Sequence, residues 1–130
     1  MSDRSSDSAA PALHELEAKV MDEVWKRGQA TVREVLEALN EHEKPRAYTT
    51  VMTIMSRLAD KGMLERLRSG KTDVYSPVLS RDGYARARAR DQAGALVAEF
   101  GDIALAQFAR QVESLDPGRL AELRRMASDE

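Results

Sequence analysis

No cysteine occurs among the 130 residues, which excludes a disulfide framework, a thiolate metal site and a cysteine nucleophile, and suits a reducing cytoplasm. Histidine is scarce too. His14 and His42 stand far apart, with no HxxxH or HxxE spacing, so neither zinc nor a catalytic imidazole is expected and both rings are expected at the surface. There is no Gly-rich phosphate loop and no nucleophile–base pair at a useful spacing; the chain is not expected to be an enzyme or to carry a metal or cofactor. No apolar run approaches the roughly 20 residues that cross a bilayer, and Met1 to Ser8 are polar where a signal peptide would be basic and then apolar. The expectation is a cytoplasmic protein without membrane insertion.

What is present fits one compact domain, or one small domain with an appendage. Residues 1–12, rich in Ser, Asp, Ala and Pro, bury too little apolar surface to offset the entropy of ordering and are expected to form a disordered leader. The formal net charge is −2, but it is unevenly spread. Between Lys44 and Lys71, seven basic residues (Lys44, Arg46, Arg57, Lys61, Arg66, Arg68, Lys71) face two acids, Asp60 and Glu65. Such a segment attracts phosphate while the rest of the chain stays acidic.

Apolar residues at Leu13, Leu16, Val20 and Val24, widened by Met21 and Trp25, have the spacing of a half-buried helix ended by Gly28. Thr31 and Glu34 form a capping box for a second helix with Val32, Val35, Leu36 and Leu39 inward, and Asn40 begins its exit. A turn at Glu41 to Pro45 leads to a third helix from about Tyr48 to Lys61, stopped by Gly62. Val51, Ile54, Met55 and Leu58 mark its apolar side. On its other side, near the N-terminal half, Tyr48, Thr49, Met52, Thr53, Ser56 and Arg57 offer hydroxyls, a thioether and a guanidinium, with no carboxylate among them. Three threonines are costly in a helix without a tertiary or functional reason. Leu64 to Arg68 and Thr72 to Pro77 alternate around Ser69-Gly70-Lys71 as a β-hairpin anchored by Leu64, Leu67, Val74 and Tyr75.

Beyond Pro77 the composition shifts to Ala and Arg. Ser80 caps a long fourth helix with Tyr84, Ala85, Ala89, Ala93, Leu96, Val97 and Phe100 as inward candidates. Gly101-Asp102 breaks it before a fifth helix, and Asp116-Pro117 starts a sixth, with Leu115 and Leu120 placed as a hydrophobic staple. The fold class is therefore mainly α with a small hairpin: a winged helix-turn-helix over 13–79 and a helical dimerisation region over 80–130. Tyr84, Leu96, Val97, Phe100, Ile103, Phe108, Val112, Leu120 and Leu123 are the expected dimerisation residues, since burial against a second copy is the simplest way to cover short amphipathic helices.

In a helix-turn-helix the start of the second helix enters the major groove. Thr49, Thr50 and Thr53 can bond bases or phosphates, and Arg57 a guanine or phosphate. Arg46 and Tyr48 suit backbone phosphates, while Arg68 and Lys71 on the wing suit the flanking backbone or minor groove. The alternative is a winged-helix module that binds protein instead of DNA, because fold does not fix function.

Ala47-Tyr48-Thr49-Thr50-Val51 and Arg57-Leu58-Ala59-Asp60-Lys61-Gly62 strongly resemble the penicillinase-repressor family of BlaI, MecI and CopY type regulators. Glu17 to Trp25, Thr31 to Val35, Tyr75 to Pro77 and Leu120 to Arg125 are similar to the same family, so the resemblance runs from about Leu13 to Met126. It implies a homodimeric repressor on an inverted-repeat operator, commonly with TACA and TGTA half-sites, whose recognition helix is Tyr48 to Lys61. The expected partners are that double-stranded operator, a second copy of the chain, and a signalling partner such as a membrane sensor-protease. Two departures stand out. Copper-responsive members carry a C-terminal cysteine cluster that is absent here, and the Asn-Phe bond cleaved in β-lactam-responsive members aligns with Arg110-Gln111.

Overall fold

In the computed structural model, which describes residues 10–42 and 44–129, helix α1 (Glu15–Arg27) begins where the His14 N–H donates to the Glu17 carboxylate at 2.9 Å. It ends at Gly28, whose φ of +84° is left-handed backbone that a side chain would strain. Helix α2 (Val32–His42) opens on a reciprocal cap: the Glu34 N–H donates to the Thr31 hydroxyl at 3.1 Å, and the Thr31 N–H to the Glu34 carboxylate at 2.9 Å. It runs past Asn40, the expected exit, because the Asn40 side chain serves the following turn and does not close its own helix. Helix α3 (Tyr48–Asp60) follows.

Val20, Met21 and Val24 of α1, Val35 of α2, and Val51, Met55 and Leu58 of α3 have no exposed surface. Val20 and Val24, Met21 and Val24, Val51 and Met55, and Met55 and Leu58 are three or four residues apart, and Val35 is so spaced from the buried Val32 and Leu39, so each helix turns one stripe inward. Burying each such side chain contributes about 1.5–3 kcal/mol. Strands β1 (Leu64–Ser69) and β2 (Thr72–Pro77) form an antiparallel hairpin with Leu64 opposite Pro77 and Ser69 opposite Thr72. Leu64 and Tyr75 close the core from the hairpin's base, and Ala30 pairs with Tyr75 through both backbone groups at 2.8 and 2.9 Å. Three helices and this small sheet are a winged helix. Leu67, expected as an anchor, is 48% exposed. Period-two alternation from the buried Leu64 turns it to the outer face.

Helix α4 (Arg81–Phe100) is capped by the Ser80 hydroxyl, which accepts from the Gly83 N–H at 2.9 Å. The first compact unit of the chain continues to Asp91. Within it the Trp25 indole donates to the Leu79 carbonyl at 2.9 Å, and its ring lies 5.6 Å from that of Tyr84. Tyr84, half-buried, thus packs against the core of its own unit. Ala87 is buried while Ala85 and Ala89 are exposed, since the inward row follows Tyr84 at three-residue spacing. Residues 1–9 of the expected leader lie outside the described residues. Ala10 and Pro11, assigned to the same leader, contact the first unit: Ala10 is buried, Arg88 donates to its carbonyl, and the Tyr84 hydroxyl donates to the Pro11 carbonyl.

The second unit spans Gln92–Glu130. It holds the end of α4, helix α5 (Asp102–Glu113) after a turn at Gly101, and helix α6 (Pro117–Ser128). The Asp116 carboxylate accepts from the Arg119 N–H at 2.8 Å with proline at the first helical position, the start expected from sequence. Ala104 is its one buried apolar residue among those described. Among the described residues no helix is long and apolar enough to cross a membrane.

Candidate nucleic-acid interface

The turn before α3 is held by one side chain. The Asn40 carboxamide oxygen accepts from the Arg46 N–H at 2.8 Å, and its nitrogen donates to the Arg46 carbonyl at 3.4 Å. Arg46 also sends its guanidinium back to the Lys44 carbonyl at 3.3 Å. The chain therefore enters α3 from a fixed direction, with Ala47 as an extended N-cap, no side-chain cap and no acid in the first turn. That leaves the positive end of the helix open to an anion.

Because Val51, Met55 and Leu58 take the core side, the remaining face of α3 turns to solvent. Thr49, Thr50, Thr53 and Arg57 are all exposed, and Tyr48 is 42% exposed. Thr49 and Thr53 lie at the centre of this face, four residues apart. Thr50 and Arg57 flank one side; Tyr48, Met52 and Ser56 flank the other, toward the hairpin. Lys61, at the C-cap of α3, is tied to α1 by a 2.7 Å ion pair with Glu17. Burial pushes the Glu17 carboxyl up, but the hydrogen bond from Lys61, the His14 backbone N–H and the nearby positive charges outweigh it. Its pKa is held below the usual glutamate value.

The hairpin turns at Gly70-Lys71, where Gly70 has a φ of +66°. Leu64, Arg66 and Arg68 share one face of β1 with Tyr75 and Asp73 of β2 opposite them. Arg68 is exposed but pairs with Asp73 at 2.9 Å, so the wing's positive charge is partly matched from within. Lys71 and Arg57 have no ion-pair partner among the described residues. Between the starts of α2 and α3 and the hairpin lies a cleft of about 460 Å³, lined by Thr31, Arg33, Tyr48, Met52, Lys71 and Tyr75, with others.

Two of the residues expected from sequence, Tyr48 and Lys71, thus line one cleft, and the threonines and Arg57 extend its α3 wall outward. Two further arginines were not foreseen. Arg33 lies over the Tyr48 ring with its guanidinium carbon 5.4 Å from the centroid, and Arg66 reaches from β1 to α3. The signal for Arg66 was its two-residue spacing from Leu64, which puts it on the inner face. Arg33 had no such signal, since periodicity says only that it is outside the apolar stripe of α2. Arg46 lies at the edge of this surface, beside the entry to α3.

Comparison with known proteins gives a consistent result. The model of the family described as Penicillinase repressor matches residues 13–129. The chain is 45% identical over 71 residues to the transcriptional regulator BlaI of Mycobacterium tuberculosis strain H37Rv, covering 54% of this chain and 51% of that protein. It is 29% identical over 76 residues to the penicillinase repressor of Bacillus licheniformis, covering 57% of each. The chain therefore spans about half the length of the curated relatives it matches. Among solved structures, the DNA-binding domain of the repressor BlaI aligns with a TM-score of 0.51 at 28% identity, over 58% of this chain and 92% of that one. The monomeric form of Bacillus licheniformis BlaI in complex with the blaP half-operator aligns with a TM-score of 0.50 at the same identity and coverage.

Proposed function

The chain belongs to the penicillinase-repressor family, and from that premise we propose that it is a sequence-specific DNA-binding transcriptional repressor, working in the cytoplasm as a homodimer on an inverted-repeat operator. One observation carries the reading: the hydroxyl-bearing face of α3 is exposed beside a hairpin bearing Arg68 and Lys71. A helix of that kind, entering the major groove, presents Thr49, Thr50 and Thr53 to base edges and Arg57 to a base or phosphate. The open start of α3, with Arg46 and Tyr48, suits backbone phosphates, and the wing suits the flanking backbone. No part of the proposal needs a cofactor, a metal or a catalytic step.

The same reading assigns residues 13–79 to recognition and 80–130 to dimerisation. Leu96, Phe100, Ile103 and Val112 are exposed in the second unit, and Leu96, Phe100, Ile103 and Phe108 border an apolar groove of about 270 Å³. Val97, Leu120 and Leu123 are half-buried beside them in the sequence of that unit. Exposed apolar residues in such number suit burial against a second copy. A signalling partner such as a membrane sensor-protease would relieve repression.

The decisive experiment is duplex binding across a salt series. A reader making several phosphate contacts loses affinity steeply as salt rises, with log K falling by about 0.9 per phosphate for each unit of log salt. Binding that ignores salt, or that fails to distinguish an enriched duplex from its scrambled form, refutes the proposal.

A further inference from the structure

Only the base of the wing belongs to the core. Leu64 and Tyr75 are buried, but Leu67 to Thr72 are exposed. A two-stranded hairpin is marginally stable in water without support from another element. Beyond the core contacts of that base and the Ala30 pairing, Arg66 ties the wing to α3. Arg66, midway along β1, donates through Nε to the Tyr75 hydroxyl at 3.1 Å and through Nη2 to the Ser56 hydroxyl on α3 at 3.2 Å. Its guanidinium carbon lies 5.4 Å from the Tyr75 ring centroid, and Nε is 4.0 Å from the Asp73 carboxylate. Tyr75 is in turn bonded through its backbone to Ala30, in the loop before α2.

We propose that Arg66 is a positioning residue: a strut between wing and recognition helix that keeps the cationic tip in register with the threonine face of α3. The inference rests on the repressor reading and adds to it the means by which two separate contact surfaces are kept at one spacing. The planar guanidinium suits the task because its donors point along fixed directions to two different hydroxyls; a lysine ammonium, on a flexible stem, is a single point donor. Ser56 lies on the flank of α3 nearest the hairpin, next to Met52 and off the central row of Thr49 and Thr53. It is therefore placed to receive the strut without taking a position on the reading face.

The test uses the full chain in two variants that keep every charge, Ser56→Ala and Arg66→Lys, with Arg66→Gln as the contrast. Backbone nitrogen relaxation at Gly70 and Lys71 is measured in DNA-free protein. Affinity is then measured for a duplex that the wild-type protein enriches from a randomised library. Both charge-keeping variants are expected to make the wing tip more mobile. They should bind about two- to tenfold more weakly, the worth of one hydrogen bond, with the salt slope unchanged. An unaltered wing tip in both variants overturns the strut. So does an Arg66→Lys variant that binds like wild type while Arg66→Gln lowers the slope by about one, for Arg66 is then a phosphate contact. Because wing mobility is read without DNA, failure to enrich any duplex refutes the repressor reading and leaves the strut's own measurement standing.

Discussion

Replacing Thr49, Thr50 and Thr53 together by alanine should move stability and function in opposite directions. All three side chains are exposed, so their removal takes nothing from the core. Threonine is worse than alanine in a helix interior by up to about 0.7 kcal/mol. Thr53, in the middle of α3, should yield most of that, and Thr49 and Thr50, in the first turn, less. The sum is about 1 kcal/mol of added stability, which for a head of this size raises the melting temperature by about 4–8 °C. Base discrimination should go the other way. A good base contact is worth about 1–3 kcal/mol, so the preference for an enriched duplex over its scrambled form should fall at least tenfold while nonspecific binding persists. Thermal unfolding by circular dichroism and competition binding measure the two halves. A triple variant that keeps full discrimination, or one that melts lower than wild type, shows that the threonines are held by structure and refutes their assignment to the reading face.

Four further outcomes are expected. Changing Arg68 and Lys71 to glutamine should weaken binding to all duplexes and reduce the salt slope by up to about two contacts; Asp73→Asn, which releases Arg68, should strengthen nonspecific binding, and a salt titration of each checks both. Glu17 has a folded pKa below the ordinary glutamate value, so its contribution to stability is complete above that ordinary value and lost as pH falls through the lower folded pKa. Denaturant unfolding as a function of pH should therefore show a shallower acid decline in Glu17→Gln than in wild type, and equal declines would remove the Lys61 pairing as its cause. Ile103 is 68% exposed, so Ile103→Asp should leave the monomer fold intact yet dissociate a dimer in sedimentation equilibrium; an unchanged mass excludes that face from the interface.

Helix starts were legible because their caps are written locally. Thr31 with Glu34, Ser80, and Asp116 with Pro117 all act as expected, each through a side chain and a backbone group three residues away. The exposed side of α3 was legible because its apolar residues are strictly periodic. What escaped were contacts between residues far apart in sequence. Tyr84 reads as one more apolar residue of an alanine-rich helix, yet Trp25, nearly sixty positions earlier, decides where its ring goes. Arg66 reads as part of a basic run, although a serine on another element gives it its place. Leu67 shows the opposite failure: hydrophobicity suggested burial, and strand alternation, also present in the sequence, assigned it outward.

The pairing of Ala30 with Tyr75 has an effect on solubility as well as on shape. Ala30 covers the outer rim of β2 at Tyr75, while β1 has no strand partner on its outer side among the described residues. Open rims invite stray strands to add on, and charged side chains along them discourage it. Glu65, Arg66 and Arg68 occupy that strand. The arginines that suit a polyanion therefore also guard the molecule against self-stacking, and exchanging them for β-branched apolar residues would expose an aggregation-prone edge.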